Sequence, residues 1–169
     1  GRPFGLEGRP GRGFRVKLPP MATLITIVAI ALAISFLCSI LEAVFLSVSH
    51  SYIAVLMSRG EWAGEWLQRA QRNVEEPIAA ILTLNTIAHT VGATLAGAQA
   101  TVVFGEAWVG VFSGALTLAV LLVTEIVPKT LGATYWKNLA KPSAYVLRVM
   151  IAGMKPILVP LSWLSGLLT

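Results

Sequence analysis

The chain is poor in charge. Of its 169 residues only 12% are Asp, Glu, Lys or Arg, against about 25% in soluble domains. With 56% hydrophobic residues and a mean hydropathy of +0.75, that excludes a soluble domain and marks a membrane protein. Aspartate is absent, so the eight acidic groups are all glutamates: Glu7, Glu42, Glu61, Glu65, Glu75, Glu76, Glu106 and Glu125. The one cysteine, Cys38, excludes an internal disulfide and a CxxC metal cluster. It lies within an apolar run, where packing is its expected role. No small-residue cleavage site follows a short apolar segment near the start, so a secretory signal is not expected. No water-accessible nucleophile–base pair is visible either, and no enzyme is expected. Glu42 with His89 is the one intramembrane acid–base couple on offer.

The net charge of +5 invites a nucleic-acid reading. The arginines and lysines instead flank apolar runs, where they orient a membrane protein. No nucleic-acid partner is expected.

Residues 1–20 hold five glycines, four prolines and five basic residues. That composition cannot build a core and reads as a disordered basic arm, native or appended. Residues 21–137 read as a three-span transmembrane domain, and 138–169 as a juxtamembrane helical belt. The fold class is therefore all-α, with membrane-spanning helices and amphipathic helices beside them.

The first span runs from about Met21 to Val48, and a helix of that length, at about 1.5 Å per residue, exceeds the roughly 30 Å hydrocarbon core. Ser35, Ser39 and Glu42 fall at i, i+4 and i+7, on one face. A polar stripe on an apolar helix faces protein or water. Either the stripe serves interhelical hydrogen bonding, or it shares in a site. Residues 49–76 form a polar connection in which Trp62, Ala63, Trp66, Leu67 and Ala70 recur at helical spacing. An amphipathic interfacial helix with its tryptophans at headgroup level is expected there.

The second span, Pro77 to Phe104, has no charged residue but carries Asn85 and His89, one turn apart. Gly92, Ala93, Ala96, Gly97, Ala98 and Ala100 come after them, and small residues let a neighbouring backbone approach closely. The third span starts near Ala107 and has no charge before Glu125. Lys129 is expected to snorkel toward the headgroups, and Tyr135, Trp136 and Lys137 to anchor the interface. Beyond them Pro142, Pro156 and Pro160 interrupt the pattern. Ser143 to Met154 is too short to span, so an interfacial helix belting the spans is expected, with Trp163 as a further anchor.

Three spans put the two ends on opposite sides. The 49–76 connection and the segment after the third span carry eight basic residues, the 105–108 turn none, and the arm five. The positive-inside rule then places the N-terminus outside and the C-terminus in the cytoplasm.

The stretch Thr124-Glu125-Ile126-Val127-Pro128-Lys129 concentrates the chemistry. A carboxylate at membrane depth costs a few kcal/mol unless paired, and is by default a functional hypothesis. Pro128 has no N–H and its ring clashes with the carbonyl four residues back, that of Thr124. A carboxylate and a freed carbonyl are the pieces of a hard-cation site. Equally, Glu125 could end the helix at the interface, paired with Lys129 at i+4. This stretch alone leaves both readings open.

Three motifs together resemble one family. Ser35-Phe-Leu-Cys-Ser39-Ile-Leu-Glu42-Ala43 looks like the first-span motif of the CNNM/CorC (cyclin M-like) transmembrane domain. Leu84-Asn85-Thr86-Ile87-Ala88-His89 resembles its polar second-span motif, and Glu125-Ile-Val-Pro128-Lys129 its glutamate-x-x-proline signature. The resemblance covers residues 22–169 and implies a homodimer of three-span protomers that moves a divalent cation, Mg2+ foremost, through a mid-membrane site. Some bacterial members carry an older hemolysin label. Carried over, the family's metal donors fall on Ser39, Asn85, His89, Glu125 and the Thr124 carbonyl. Pro128 breaks the helix in support, and Ser35 and Glu42 are secondary candidates.

This chain departs from the pattern at His89, where the magnesium-binding members have asparagine, and at Thr124, where glycine is frequent. Imidazole suits Mn2+, Co2+ or Zn2+, unless His89 only orients Glu125. The family's paired regulatory domain is also missing, as in a truncated or lone-domain form. The expected partners are a second copy, the cation and membrane lipid. The alternative is a non-transporting membrane module whose polar span residues serve dimer packing.

Overall fold

The computed structural model describes residues 19–166, with side chains to Pro156. Most of the N-terminal arm and the Trp163 side chain lie outside the described residues. Three helices are long and apolar enough to cross a membrane, and among the described residues there is no strand.

Helix α1, Pro20–Ser47, opens with proline in its first turn, where a missing N–H costs nothing. It is the central element, packed along the second span on one side and the third on the other. Its buried residues, Cys38, Leu41, Val44 and Phe45 among them, anchor the main core. Helix α4, Glu75–Phe104, is the second span, and Pro77 sits in its first turn. A Cβ built on Gly92 would stand 2.5 Å from the Ala31 methyl, so α1 and α4 meet where only glycine fits. Gly97 faces open space instead, so the small residues are not all used for close approach. At the far end Gln99 of α4 donates to the Pro20 carbonyl at 3.1 Å, which puts the start of α1 and the end of α4 on one side. Gly105, at φ 80°, turns the chain into the third span.

The expected single helix in the 49–76 connection is two helices. Helix α2, His50–Ser58, and helix α3, Trp62–Arg72, are joined at Gly60, whose φ of 68° suits glycine. A Cβ on Gly64 would lie 2.9 Å from Leu56 Cβ, and this closeness folds α3 back on α2. The apolar face of α3 (Ala63, Leu67, Ala70) is buried in the protein's own core. Trp62 packs against Tyr145 with ring centroids 4.7 Å apart, so this tryptophan is packed on protein and not only set among headgroups.

The third span is built from α5, Val109–Ala119, a π-helical turn, Val120–Ile126, and α6, Val127–Gly166. Helical structure does not end at Pro128, nor do Pro142 and Pro156 interrupt α6. The bend falls at Tyr135 (φ −103°, ψ 19°). Ala140, Ala144 and Leu147, spaced around Pro142, are fully buried in the main core that α6 shares with α1, α2 and α3. That packing offsets the roughly 3 kcal/mol a proline costs in a helix interior. Tyr52 donates to the Lys137 carbonyl at 2.9 Å and meets Trp136 edge-on at 5.2 Å. Lys141 pairs with Glu61. The segment after the bend thus clasps α2 and α3, as a belt would.

Candidate metal site

The site forms where α1, α4 and the π turn converge. Ser35 and Ser39 of α1 are buried, and Glu42 continues their face one turn on. His89 projects from α4 about one turn before Gly92, and Asn85 about two turns before it. On the third span the Val127 N–H reaches back five residues to the Leu122 carbonyl. Pro128, next in line, has no N–H. The carbonyls of Val123 and Thr124 are therefore left one donor short. The π register has a wider turn than an α-helix, and such turns gather at functional sites. Thr124 itself is buried, its hydroxyl donating to the Val120 carbonyl at 2.8 Å.

Glu125 is the hub. Asn85 Nδ2 donates to Glu125 Oε1 at 3.4 Å, and His89 Nε2 stands 3.8 Å from the same oxygen. Lys129 Nζ lies 3.1 Å from Oε2 and 3.4 Å from Glu42 Oε2. The i+4 salt bridge and the approach of second-span polar groups, alternatives in the sequence, occur together, one on each carboxylate oxygen. Glu42 meets Lys129, while the carboxylate nearest His89 among the described ion pairs is that of Glu125. Lys129, assigned by sequence to the headgroups, instead joins two carboxylates from different helices. Its pairing with Glu125 was visible at i+4. Its reach to Glu42 had no signal in the sequence, and neither had the π turn.

His89 Nε2 is hydrogen-bonded to the Ser35 hydroxyl. In either tautomer that nitrogen is engaged and its lone pair is not offered to a metal. Two nearby oxygens, by contrast, are buried with no partner: Asn85 Oδ1 and Ser39 Oγ. An unsatisfied buried polar atom costs about 1–3 kcal/mol, and such atoms in a native fold call for an explanation. Ser39 lies on α1 between Ser35, which touches His89, and Glu42, which touches Lys129, so its hydroxyl faces the same network. Among the described residues no three His, Cys, Asp or Glu side chains converge, so a nitrogen–sulfur cluster of the zinc type is not formed. The donors available are a carboxylate, an amide oxygen, a hydroxyl and the backbone carbonyls of the π turn. That is an oxygen set, suited to a hard cation.

Above the site, a cavity of 290 Å³ opens between α1, α4 and α5, lined by Ser35, His89, Gly92, Ala96, Phe112 and Thr117 among others. It brings open space directly to the Ser35–His89 edge of the network.

Three apolar spans with polar side chains turned to a shared centre define an integral membrane protein with a half-buried polar site. The family model of the cyclin M transmembrane N-terminal domain, CNNM, matches residues 24–169, and the chain belongs to that family. It is 36% identical over 149 residues to the UPF0053 protein sll1254 of Synechocystis, which covers 88% of this chain and 42% of the relative. It is 26% identical over 128 residues to the UPF0053 inner membrane protein YfjD of Escherichia coli, covering 76% and 29%. A UPF0053 protein of Haemophilus influenzae is 27% identical over 153 residues, covering 89% and 35%. The chain thus spans less than half the length of these curated relatives.

Proposed function

We propose that the chain carries a divalent cation, Mg2+ foremost, across the membrane through the Glu125 site. The observation that carries this reading is the pair of buried, unpartnered oxygens, Asn85 Oδ1 and Ser39 Oγ, beside a carboxylate on a π turn. Gln71 Oε1 on α3 is also buried without a partner; what sets Asn85 Oδ1 and Ser39 Oγ apart is their place beside that carboxylate. A cation held between Glu125 Oε1, Asn85 Oδ1, Ser39 Oγ and a π-turn carbonyl satisfies all of them. Lys129 occupies the Oε2 side, and Oε1, which accepts one hydrogen bond from Asn85, keeps a lone pair for the ion. With His89 Nε2 engaged by Ser35, oxygen ligation suits Mg2+ or Mn2+ better than Co2+ or Zn2+, and His89 positions Glu125.

The π turn that interrupts the α register of the third span beside a mid-chain carboxylate supports this reading, since transporters place ion sites where spanning helices depart from regular geometry. Motion of the spans about that site supplies access from each side in turn. The working unit is a homodimer in a prokaryotic inner or plasma membrane, with the N-terminus outside and the connection 49–76 in the cytoplasm. The relative named an inner membrane protein and the eight basic residues on the connection side support that placement. The test is Mg2+ flux in proteoliposomes. Glu125→Ala abolishes flux if the reading holds, and unchanged flux in that variant defeats it.

A further inference from the structure

A second cavity lies away from the ion site, on the membrane face where α1 ends and α4 begins. Its volume is 450 Å³, and it is walled by Trp62, Trp66 and Arg69 of α3, Glu76 and Pro77 of α4, and Arg148 and Lys155 of α6. Three cations from two helices meet one carboxylate there. Among the described residues, none of the three cations forms an ion pair. The Arg148 guanidinium lies 5.0 Å from the centre of the Trp62 ring, and Arg69 Nε donates to the Glu65 carbonyl at 3.4 Å. Both guanidinium groups are thereby held at the cavity wall, not free in solution. The floor is apolar, with Ala70, Ile151 and Ala152.

We propose that this cavity binds the phosphate of an anionic phospholipid headgroup, with the acyl chains running down the apolar side of α6 and α4. Guanidinium groups match phosphate geometry with paired donors, and the excess of positive charge selects an anionic over a zwitterionic lipid. Tryptophan is the residue of the headgroup level, and here two of them form the wall. A basic pocket between helices at the membrane edge, lined this way, recognises headgroups and not soluble anions, because only a lipid also fills the apolar floor. The site is independent of the ion-transport reading. Its occupant braces α3 against α6, the two elements that close the belt.

Native mass spectrometry of the full chain in non-ionic detergent tests the assignment, with phosphatidylglycerol, phosphatidylcholine or inorganic phosphate added. Phosphatidylglycerol is expected to remain bound and phosphatidylcholine to dissociate. In Arg69→Gln/Arg148→Gln, phosphatidylglycerol affinity is expected to fall by tenfold or more. Arg59→Gln removes a charge outside the cavity and is expected to leave it unchanged. Lys155→Gln, at an exposed position, lowers it severalfold without touching the core, so the inference does not depend on the double variant folding. Equal retention of both lipids, equal loss in Arg59→Gln, or displacement of the lipid by millimolar inorganic phosphate would each overturn the proposal.

Discussion

Glu125 divides its two carboxylate oxygens between two neighbours. Oε2 faces Lys129 at 3.1 Å and Oε1 faces Asn85 at 3.4 Å. Glu125, Asn85, Ser39 and His89 were visible in the sequence because polar groups inside apolar runs are costly and stand out. Their grouping came from helical spacing and the family's motifs. The pairing of Lys129 with Glu125 was legible at i+4, but its reach to Glu42 was not, since that contact joins residues of different helices. Nor was the hydrogen bond that occupies His89 Nε2, because it joins residues 54 apart in the chain. That bond bears on metal preference. His89→Asn is expected to keep Mg2+ affinity within a few-fold, since an amide can still position the carboxylate. His89→Ala is expected to lose about 10–100-fold, the usual cost of removing a ligand-orienting partner. Isothermal titration with Mg2+ and Mn2+ checks both. Abolition of Mn2+ binding in His89→Asn with Mg2+ unaffected would instead make the imidazole a direct ligand.

At the scale of the helices, three apolar runs announced three spans, and the observed limits of the first two differ from the expected ones by only a residue or two. What sequence could not place were the bends. Prolines suggested breaks at 128, 142 and 156, yet the helix continues through each and bends at Tyr135. A proline removes one hydrogen bond, whereas the burial of Ala140, Ala144 and Leu147 is a property of the partner surface and leaves no local mark. The π turn is hidden for the same reason, because hydrophobic period does not distinguish one added residue in a turn. Two glycines of α4 make the packing testable. Gly92→Ala places a methyl 2.5 Å from that of Ala31 and is expected to cost about 1–3 kcal/mol by overpacking. Gly97→Ala meets nothing within 4 Å and is expected to be neutral or to stabilise by up to about 1 kcal/mol. Thermal unfolding in detergent separates them, and equal melting temperatures would place the α1–α4 approach elsewhere.

For the molecule as a whole, the Gln99–Pro20 hydrogen bond puts the N-terminal end of α1 beside the 105–108 turn, so both lie on one side. With the proposed orientation, Glu106→Cys labels with an impermeant maleimide in intact cells, and Arg59→Cys labels only after the membrane is opened. Cys38 is fully buried and stays silent as a built-in control. The reverse pattern would invert the topology. The central claim, that Asn85, Ser39 and Glu125 hold a divalent cation, is tested most directly by titrating the detergent-solubilised chain with Mg2+ and recording its melting temperature. At a hundredfold excess over the dissociation constant, a ligand that binds only the native state adds about 2.7 kcal/mol, or roughly 5–10 °C for a chain of this size. Saturable stabilisation of that order in the wild type, lost in Asn85→Ala, is the expected result. Equal stabilisation of both proteins, or none of the wild type, would contradict it.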